Sequence, residues 1–167
     1  MGATEDTSRG VCQSCHTVGT TVRERGRVSL MAVLCDPCWN AYANQLALEE
    51  GATAPPQAEP DPDDIAWYEP PTCSDCGAAV RHYPTNYDRW VYLAVEDVPA
   101  KDVAPRYRWR LQSLQGRHSS VPGAIVAVRI RSIEPLPSEL VRPAHRALCL
   151  NPEAVQEAEE GRAAGPE

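Results

Sequence analysis

The chain has 167 residues, no phenylalanine, 16 prolines and a formal net charge of −7. Because bulky apolar residues are sparse and prolines interrupt the pattern, the composition disfavours one large core and favours small units stabilised by something other than apolar area. No apolar run is long enough to span a bilayer, and the N-terminus has no apolar signal segment, so we expect a cytoplasmic protein without a membrane partner. Cytoplasmic thiols stay reduced, and the seven cysteines therefore predict metal ligands rather than disulfides.

The composition changes along the chain and predicts five segments. Residues 1–10 are polar and are expected to be disordered, 51–72 read as an acidic, proline-rich linker, and 151–167 read as an acidic tail. Between them lie two units, at 11–50 and 73–150. The second unit carries 11 basic and 7 acidic groups and is therefore basic, although the whole chain is acidic.

The first unit contains two C-x-x-C pairs around a predicted hairpin. Strands are expected in the segments TTVRER and RVSLMAVL, with Gly26 at the turn between them. A helix is expected over DPCWNAYANQLALEE, with Tyr42 and Leu46 on one face. Asp36 and Pro37 suit its first turn, and Gly51 suits the position after its last residue.

The two C-x-x-C pairs of the first unit have the spacing of a zinc site, and their cysteines are Cys12, Cys15, Cys35 and Cys38. Four thiolates supply the tetrahedral shell of soft ligands that zinc prefers, and a closed shell of this kind is typical of a structural ion. A paired-cysteine iron site of the rubredoxin kind is a minor alternative. A second alternative is thiol redox chemistry at Cys35 and Cys38, which flank a proline at a helix start.

A knuckle, a hairpin and a second cysteine pair at a helix start are similar to the treble-clef arrangement of GATA-type zinc fingers. The resemblance covers residues 11–50 and implies a treble-clef zinc finger. The hairpin offers only Arg23, Arg25 and Arg27, and the helix has no basic residue. The resemblance therefore supports the fold and gives no support to DNA reading by this unit.

Three strands are predicted in the second unit, at 88–95, 106–111 and 124–133. In RYRWRL the arginines alternate with apolar residues, so that the two sets are expected on opposite faces. With two arginines of the next strand they form a candidate nucleic-acid-binding stripe, consisting of Arg106, Arg108, Arg110, Arg129 and Arg131. We favour the simpler interpretation that these arginines lie on a solvated face and balance nearby acidic groups.

A second metal cluster is predicted from residues at the two ends of this unit. Cys73 and Cys76 form a knuckle followed by Gly77, and their complement has to come from far along the chain. The best candidates are His145 and Cys149, whose i, i+4 spacing places both on one side of a helical turn that Pro143 would precede. A Cys3His zinc shell results. The alternatives for its histidine are His82 and His118.

The second unit also resembles a known family. The stretch CGAAVRHYPTNYDRWVYLAVEDVPAKDVAPRYRWRLQ, followed by the His-x-x-x-Cys ending, is similar to an uncharacterised domain family found mostly in Streptomyces and related actinobacteria. The resemblance covers about residues 73–150. It implies a zinc-dependent, β-rich domain and carries no established activity.

The motifs of several enzyme classes are missing from the sequence. There is no H-x-E deaminase motif, no H-E-x-x-H, no G-x-S-x-G and no Walker loop. We therefore expect no enzyme and no small-molecule substrate. The predicted fold class is α+β, with small zinc-stabilised domains, namely a treble-clef finger and a β-rich second zinc domain.

The predicted function is a non-enzymatic, regulatory interaction module with two structural Zn²⁺ ions and a protein partner. One alternative is a transcriptional regulator that binds DNA or RNA through the arginine-rich strand. The other is a thiol redox protein.

Overall fold

The computed structural model describes residues 10–56, 70–114, 124–131 and 134–149. The predicted acidic tail and most of the predicted disordered N-terminus and acidic linker lie outside these ranges. Within them the chain forms one α-helix and several small antiparallel sheets. No helix in this part of the chain is long and apolar enough to cross a membrane.

The first unit is a short hairpin followed by the helix. Strands β1 (Arg23–Arg25) and β2 (Ala32–Leu34) pair antiparallel, with Glu24 opposite Val33. Both strands are shorter than predicted. Strand β1 starts only at Arg23 because residues 19–21 form a turn, and β2 starts only at Ala32 because residues 26–31 form a loop in which Val28 takes a left-handed φ of 61°.

Helix α1 (Asp36–Glu50) has the predicted bounds. Pro37 lies in its first turn, where the missing N–H costs nothing. Gly51 ends the helix with φ of 72°, and the N–H of Ala52 donates to the Ala47 carbonyl at 2.9 Å.

The buried face of α1 carries Trp39, Ala43, Ala47 and Glu50. This spacing of four, four and three residues follows one side of the helix. Of the Tyr42 and Leu46 pair noted in the sequence, Tyr42 is exposed, whereas Leu46 is partly buried and packs against the core. Alanines at the centre of the buried face let the helix approach its neighbours closely.

The second unit contains a two-stranded and a four-stranded antiparallel sheet. The first pairs β3 (Val80–Pro84) with β4 (Trp90–Ala94). The second has the order β5-β8-β6-β7, in which β5 is Val98–Pro99, β6 is Arg108–Ser113, β7 is Ile125–Arg129 and β8 is Leu140–Pro143. Among the described residues of this unit, short 3₁₀ turns lie at Ala100–Asp102, Pro105–Tyr107 and His145–Ala147.

The three predicted strands of this unit are present: β4 and β7 are shorter than predicted, and β6 has the predicted length but is displaced by two residues toward the C-terminus. Strand β4 starts at Trp90 because Asp88 adopts a left-handed turn conformation with φ of 58°. The stretch beginning at Arg106 first forms the 3₁₀ turn that Pro105 opens, and β6 starts at Arg108. Strands β3, β5 and β8 are additional to the prediction.

The two units share one hydrophobic cluster. It contains Trp39 and Ala43 from α1 together with buried residues of the sheets, among them Leu93 and Trp109. The first residues after α1 also pack on the second unit, since Ala52 is buried and its successors Thr53 and Ala54 form bridges with Trp90. The helix therefore packs on both units through its buried face, while its opposite face is exposed.

Candidate metal centres

The first centre consists of Cys12, Cys15, Cys35 and Cys38, whose four Sγ atoms all lie within 4.8 Å of one another. The Sγ atoms of Cys15 and Cys35 are 3.7 Å apart. Zinc–sulfur bonds of about 2.3 Å in a tetrahedron place neighbouring sulfurs about 3.8 Å apart, whereas a disulfide needs about 2 Å. The spacing therefore fits four ligands around one ion and does not fit an oxidised pair.

A tight turn positions the first cysteine pair. The N–H of Cys12 donates to the carbonyl of Thr17 at 3.0 Å, and the N–H of His16 donates to the carbonyl of Cys12 at 2.9 Å. An antiparallel bridge between Val11 and Val18 closes the turn, and His16 takes the left-handed φ of 59° that it requires.

Gln13 connects this turn to the second cysteine pair. Its backbone N–H donates to the Val33 carbonyl, and its Oε1 accepts from the Val33 N–H, both at 2.9 Å. Val33 lies in β2, which leads directly into Cys35 at the start of α1. The two pairs are thus held at a fixed separation by backbone geometry.

Hydrogen bonds and neighbouring thiols shift the pKa values in this cluster. Backbone N–H groups of Cys15 and Cys35 lower the pKa of Cys12 to about 6. The backbone nitrogen of Cys35 lies 3.4 Å from the Sγ of Cys12. Thr17 lowers the pKa of Cys15. Ser14 also lowers the pKa of Cys38, but the adjacent Cys35 and Cys15 outweigh it and raise that pKa to about 12. Cys38 therefore does not ionise easily at neutral pH without a cation beside it.

The second centre consists of Cys73, Cys76, His145 and Cys149, and its ligand atoms also lie within 4.8 Å of one another. The Sγ of Cys76 is 3.5 Å from Nε2 of His145, although the two residues are 69 positions apart in the chain. A tetrahedral shell with one nitrogen and three sulfurs predicts about 3.5 Å for this edge. Burial lowers the pKa of His145, with Asp75 opposing the shift, so the imidazole is neutral at pH 7 and can ligate through Nε2.

The knuckle of the second centre repeats the turn of the first. The N–H of Cys73 donates to the Ala78 carbonyl at 2.9 Å, and the N–H of Gly77 donates to the Cys73 carbonyl at 2.8 Å. A bridge between Thr72 and Ala79 closes it. Gly77, with φ of 71°, occupies the place that His16 takes in the first centre.

The other half of the second centre follows β8. The strand ends at Pro143, which precedes the helical turn at His145 as the sequence suggested but belongs to the strand rather than to the turn itself. The next residue, Ala144, bridges to Leu93 of β4 and brings the chain back to the knuckle side of the unit. His145 then opens a 3₁₀ turn, and Cys149 follows it.

Neither of the two alternative histidines, His82 and His118, is part of the cluster that the structure describes. His82 lies on β3 outside the cluster, with its ring edge-on to Tyr92 at a centroid distance of 4.2 Å. Burial lowers its pKa. His118 lies outside the described residues. The cluster in the structure contains His145, and all eight favoured ligands of the sequence analysis fall into these two sets.

The predicted arginine stripe is largely engaged within the molecule. Arg110 pairs with Glu139, and Nε of Arg131 lies 2.6 Å from Oε1 of Glu50. Arg142, which the sequence analysis did not single out, similarly pairs with Asp97 at 2.6 Å.

The remaining three arginines of the stripe differ in exposure. Nη1 of Arg129 donates to the carbonyls of Arg108 and Ile130, at 2.9 and 2.7 Å. Nε of Arg108 donates to the Val103 carbonyl at 2.7 Å. Arg106 is exposed and lies over the ring of Tyr107. The structure does not present the five arginines as one free cationic row.

Several residues near the centres were not identified from the sequence. Ser14 and Thr17 contact ligand thiols, and Gln13 orders the hairpin, as described above. Their positions inside and just after the first C-x-x-C were a usable signal, because knuckle residues commonly bond to the ligands. Glu50 and Tyr87, which lie between the units, had no such signal.

The fold and the clusters define a small α+β protein with two Cys-rich sites that could each hold a metal ion, for which zinc is a plausible occupant. The model of a family of unknown function (DUF6083) matches residues 44–161, which is more than half of the chain. The chain therefore belongs to this family. No curated protein and no solved structure matches the chain. The matched region contains the second centre and the end of α1, whereas the cysteines of the first centre precede it.

Proposed function

We propose that the protein is a non-enzymatic interaction module in which two zinc ions hold the fold and a protein partner is bound for a regulatory purpose. The first zinc would occupy a treble-clef finger, and the second would close the β-rich unit. The observation that carries the proposal is the pair of four-residue clusters, in which the Cys15–Cys35 Sγ distance of 3.7 Å and the Cys76 Sγ–His145 Nε2 distance of 3.5 Å match those of tetrahedral zinc shells.

The ligand count supports a structural rather than a catalytic role for both ions. Catalytic zinc sites keep one coordination position for water or substrate, and they usually have three protein ligands. Each cluster here offers four. An ion with four protein ligands has no position at which to activate a water molecule.

A protein partner is supported by an apolar groove beside the first centre. The groove has a volume of about 250 Å³ and is lined mainly by apolar side chains, including Leu30, Met31 and Tyr42, and Cys38 is also part of its lining. Met31 and Tyr42 remain 43% and 38% exposed. A groove of this composition suits an apolar side chain of another protein, and a methionine in its wall can adapt to the shape of that side chain.

The metal content of the native protein tests the proposal. We expect two zinc ions per chain by elemental analysis, one ion in Cys35→Ser and one in Cys149→Ser, because each substitution opens one shell. His82→Gln, which alters a histidine outside both clusters, is the matched control and should retain two. A native protein without bound metal, or a Cys35→Ser variant that folds and binds as before, contradicts the proposal.

The two alternative functions receive less support. Nucleic-acid binding needs free cations, and most of the predicted arginines already have acidic or carbonyl partners. Thiol redox chemistry at Cys35 and Cys38 needs free thiols, and a bound zinc would occupy both. Iron instead of zinc in the native protein would point to the rubredoxin-like alternative.

A further inference from the structure

We infer that the two metal centres are coupled, so that an ion bound at one raises the affinity of the other through helix α1. The inference rests on the proposed function, because it requires both clusters to bind metal. It concerns the residues between the centres rather than the ligands themselves.

Helix α1 connects the two centres physically. It begins at the first centre, where Cys35 is its N-cap and Cys38 lies in its first turn. It ends at Gly51, whose backbone lies against Arg146, the residue after the ligand His145. A Cβ atom on Gly51 would lie only 2.5 Å from Cζ of Arg146. The 15 residues of the helix span about 22 Å.

A buried polar junction fixes the end of the helix to the second unit. Glu50 is 8% exposed, and both of its carboxylate oxygens have partners. Oε1 accepts from Nε of Arg131 at 2.6 Å, and Oε2 accepts from the hydroxyl of Tyr87 at 2.9 Å. Both partners belong to the second unit. A carboxylate at this depth is stable only while both partners are in place. Loss of either partner would therefore strongly weaken the junction.

The flank of the first unit makes further contacts with the second. Nε of Arg89 donates to Oδ1 of Asn44 at 2.9 Å, and its Nη2 reaches Oδ1 of Asn40 at 3.2 Å. The backbone N–H of Arg27 donates to the carbonyl of Asn86 at 2.9 Å. These contacts come from the helix and from the loop after β1, so the whole first unit is docked.

Coupling follows from the order in which these parts gain structure. A metal ion in a small unit supplies much of its folding free energy, and the first ion therefore orders the start of α1. When α1 is ordered, Glu50 lies where it pairs with Arg131, and Gly51 lies against Arg146. The second ion then binds residues that are already ordered, which costs less conformational entropy. If the second centre is loaded first, the affinity of the first centre rises by the same factor, because coupling free energy is reciprocal.

Metal titration of the full chain measures the coupling. Co²⁺ distinguishes the centres, because four-sulfur and three-sulfur, one-nitrogen shells absorb differently, and Zn²⁺ competition then gives each affinity. We expect the first centre to bind more weakly when Cys149→Ser disables the second, by a factor in the range of about 5- to 150-fold that allosteric coupling usually shows.

A variant with all eight ligands intact tests the route of the coupling. Glu50→Gln removes the charge paired with Arg131, and we expect it to bring the coupling factor close to one while both centres still bind metal. Glu49→Gln is the matched control, because Glu49 is exposed on the same helix and its Oε1 accepts from Nε2 of Gln45 in that helix, at 2.9 Å. Its coupling should equal that of the unaltered chain.

The outcomes separate this inference from the proposed function. A chain that binds no metal overturns both. Two bound ions whose affinities do not depend on each other overturn the coupling and leave the structural zinc proposal intact. Coupling that survives in Glu50→Gln overturns the assigned route through the buried junction.

Discussion

Thr17 illustrates how much of the first centre depends on residues that are not ligands. Its side-chain oxygen lies 3.3 Å from Sγ of Cys15, and it lowers the pKa of that thiol. Its carbonyl accepts the N–H of Cys12, so the same residue also closes the knuckle. A hydroxyl that stabilises the thiolate should make the cysteine a better ligand at neutral pH.

We expect Thr17→Val to weaken zinc binding at the first centre by about 10-fold or more, because outer contacts of ligands commonly contribute that much. The stoichiometry should remain two ions per chain. Chelator competition measures the change. Thr20→Val, a change of the same shape at a nearby exposed position, serves as control and should not alter the affinity. Equal affinities in both variants would show that the hydroxyl contributes nothing to the site.

His82 should make stability depend on pH. Burial lowers its pKa in the folded protein, with a hydrogen bond to the backbone at Pro55 opposing the shift. The unfolded chain therefore binds a proton at a higher pH than the folded chain does. The free energy of unfolding therefore has its full value above the pKa of His82 in the unfolded chain, about 6.5, and decreases as pH falls below that value.

We expect the zinc-loaded protein to lose stability more steeply between about pH 7 and 5 than His82→Phe does. The phenyl ring keeps the edge contact with Tyr92 but cannot take up a proton. Urea unfolding at a series of pH values gives both slopes. Acid also weakens the ligands themselves, but that effect is common to both proteins and cancels in their difference. Parallel slopes would show that His82 does not carry the dependence.

At the scale of single elements, α1 shows how local sequence and a distant contact act on the same residue. Gly51 terminates the helix in a left-handed conformation that a side chain disfavours. It also leaves space for the guanidinium group of Arg146. Gly77 has nearly the same φ, 71° against 72°, but among the described residues no atom beyond its own chain neighbours lies within 4 Å of the place where its Cβ would be.

We expect Gly77→Ala to lower the free energy of unfolding by about 1–2 kcal/mol, which is the usual cost of a left-handed residue with a side chain. Gly51→Ala should cost more, because Arg146 must also move away. Urea denaturation of both variants at saturating zinc makes the comparison. Equal losses would mean that the Arg146 contact at the helix end has no energetic weight.

The boundaries of β6 show a second effect at this scale. Alternation in RYRWRL correctly separates the buried Tyr107 and Trp109 from the arginines, but it does not reveal where the strand starts. Pro105 opens a 3₁₀ turn that takes in Arg106 and Tyr107, so the paired strand begins only at Arg108. The alternation of side chains predicts which residues are buried, whereas the ends of a strand depend on where backbone pairing starts and stops.

At the scale of the whole molecule, the shared cluster and the Glu50 junction make the two units interdependent. The cluster runs from Cys12 and Trp39 of the first unit to Val141 and Ala144 of the second. Each unit alone has a small core, so neither gains enough from apolar burial to be independent of the other.

We therefore expect the zinc-loaded protein to unfold in a single thermal transition. Helix loss, followed by far-UV circular dichroism, should coincide with the change in tryptophan fluorescence. Excess chelator should abolish both signals together, because metal binding supplies folding free energy. Adding zinc back is the control for reversibility. Two separated transitions would contradict this expectation and would indicate that the units fold independently.

The parts of this protein that could be predicted from sequence have local causes. The bounds of α1 follow from Asp36, Pro37 and Gly51, and the first cysteine set follows from two adjacent pairs around one hairpin. The choice of His145 over His82 rested on an i, i+4 spacing with Cys149, and the structure places them together for an additional reason. Strand β8 and the Ala144 bridge return the chain to the knuckle. That return depends on long-range pairing, which no short window contains.

The contact of α1 with the second unit had no counterpart in the pattern. The sequence suggested two units on either side of a linker, and nothing about Glu50 marked it as buried. Its burial depends on Arg131 and Tyr87, which come from two different places in the second unit.

The amino-acid sequence alone thus specified the residues of the two Cys-rich clusters and the bounds of the helix, because thiol spacing and capping residues are local chemistry. Only the tertiary structure decided which arginines are already paired and that one helix connects the two centres. Those features depend on free energies of residues far apart in the chain, which become close only when the sheets assemble.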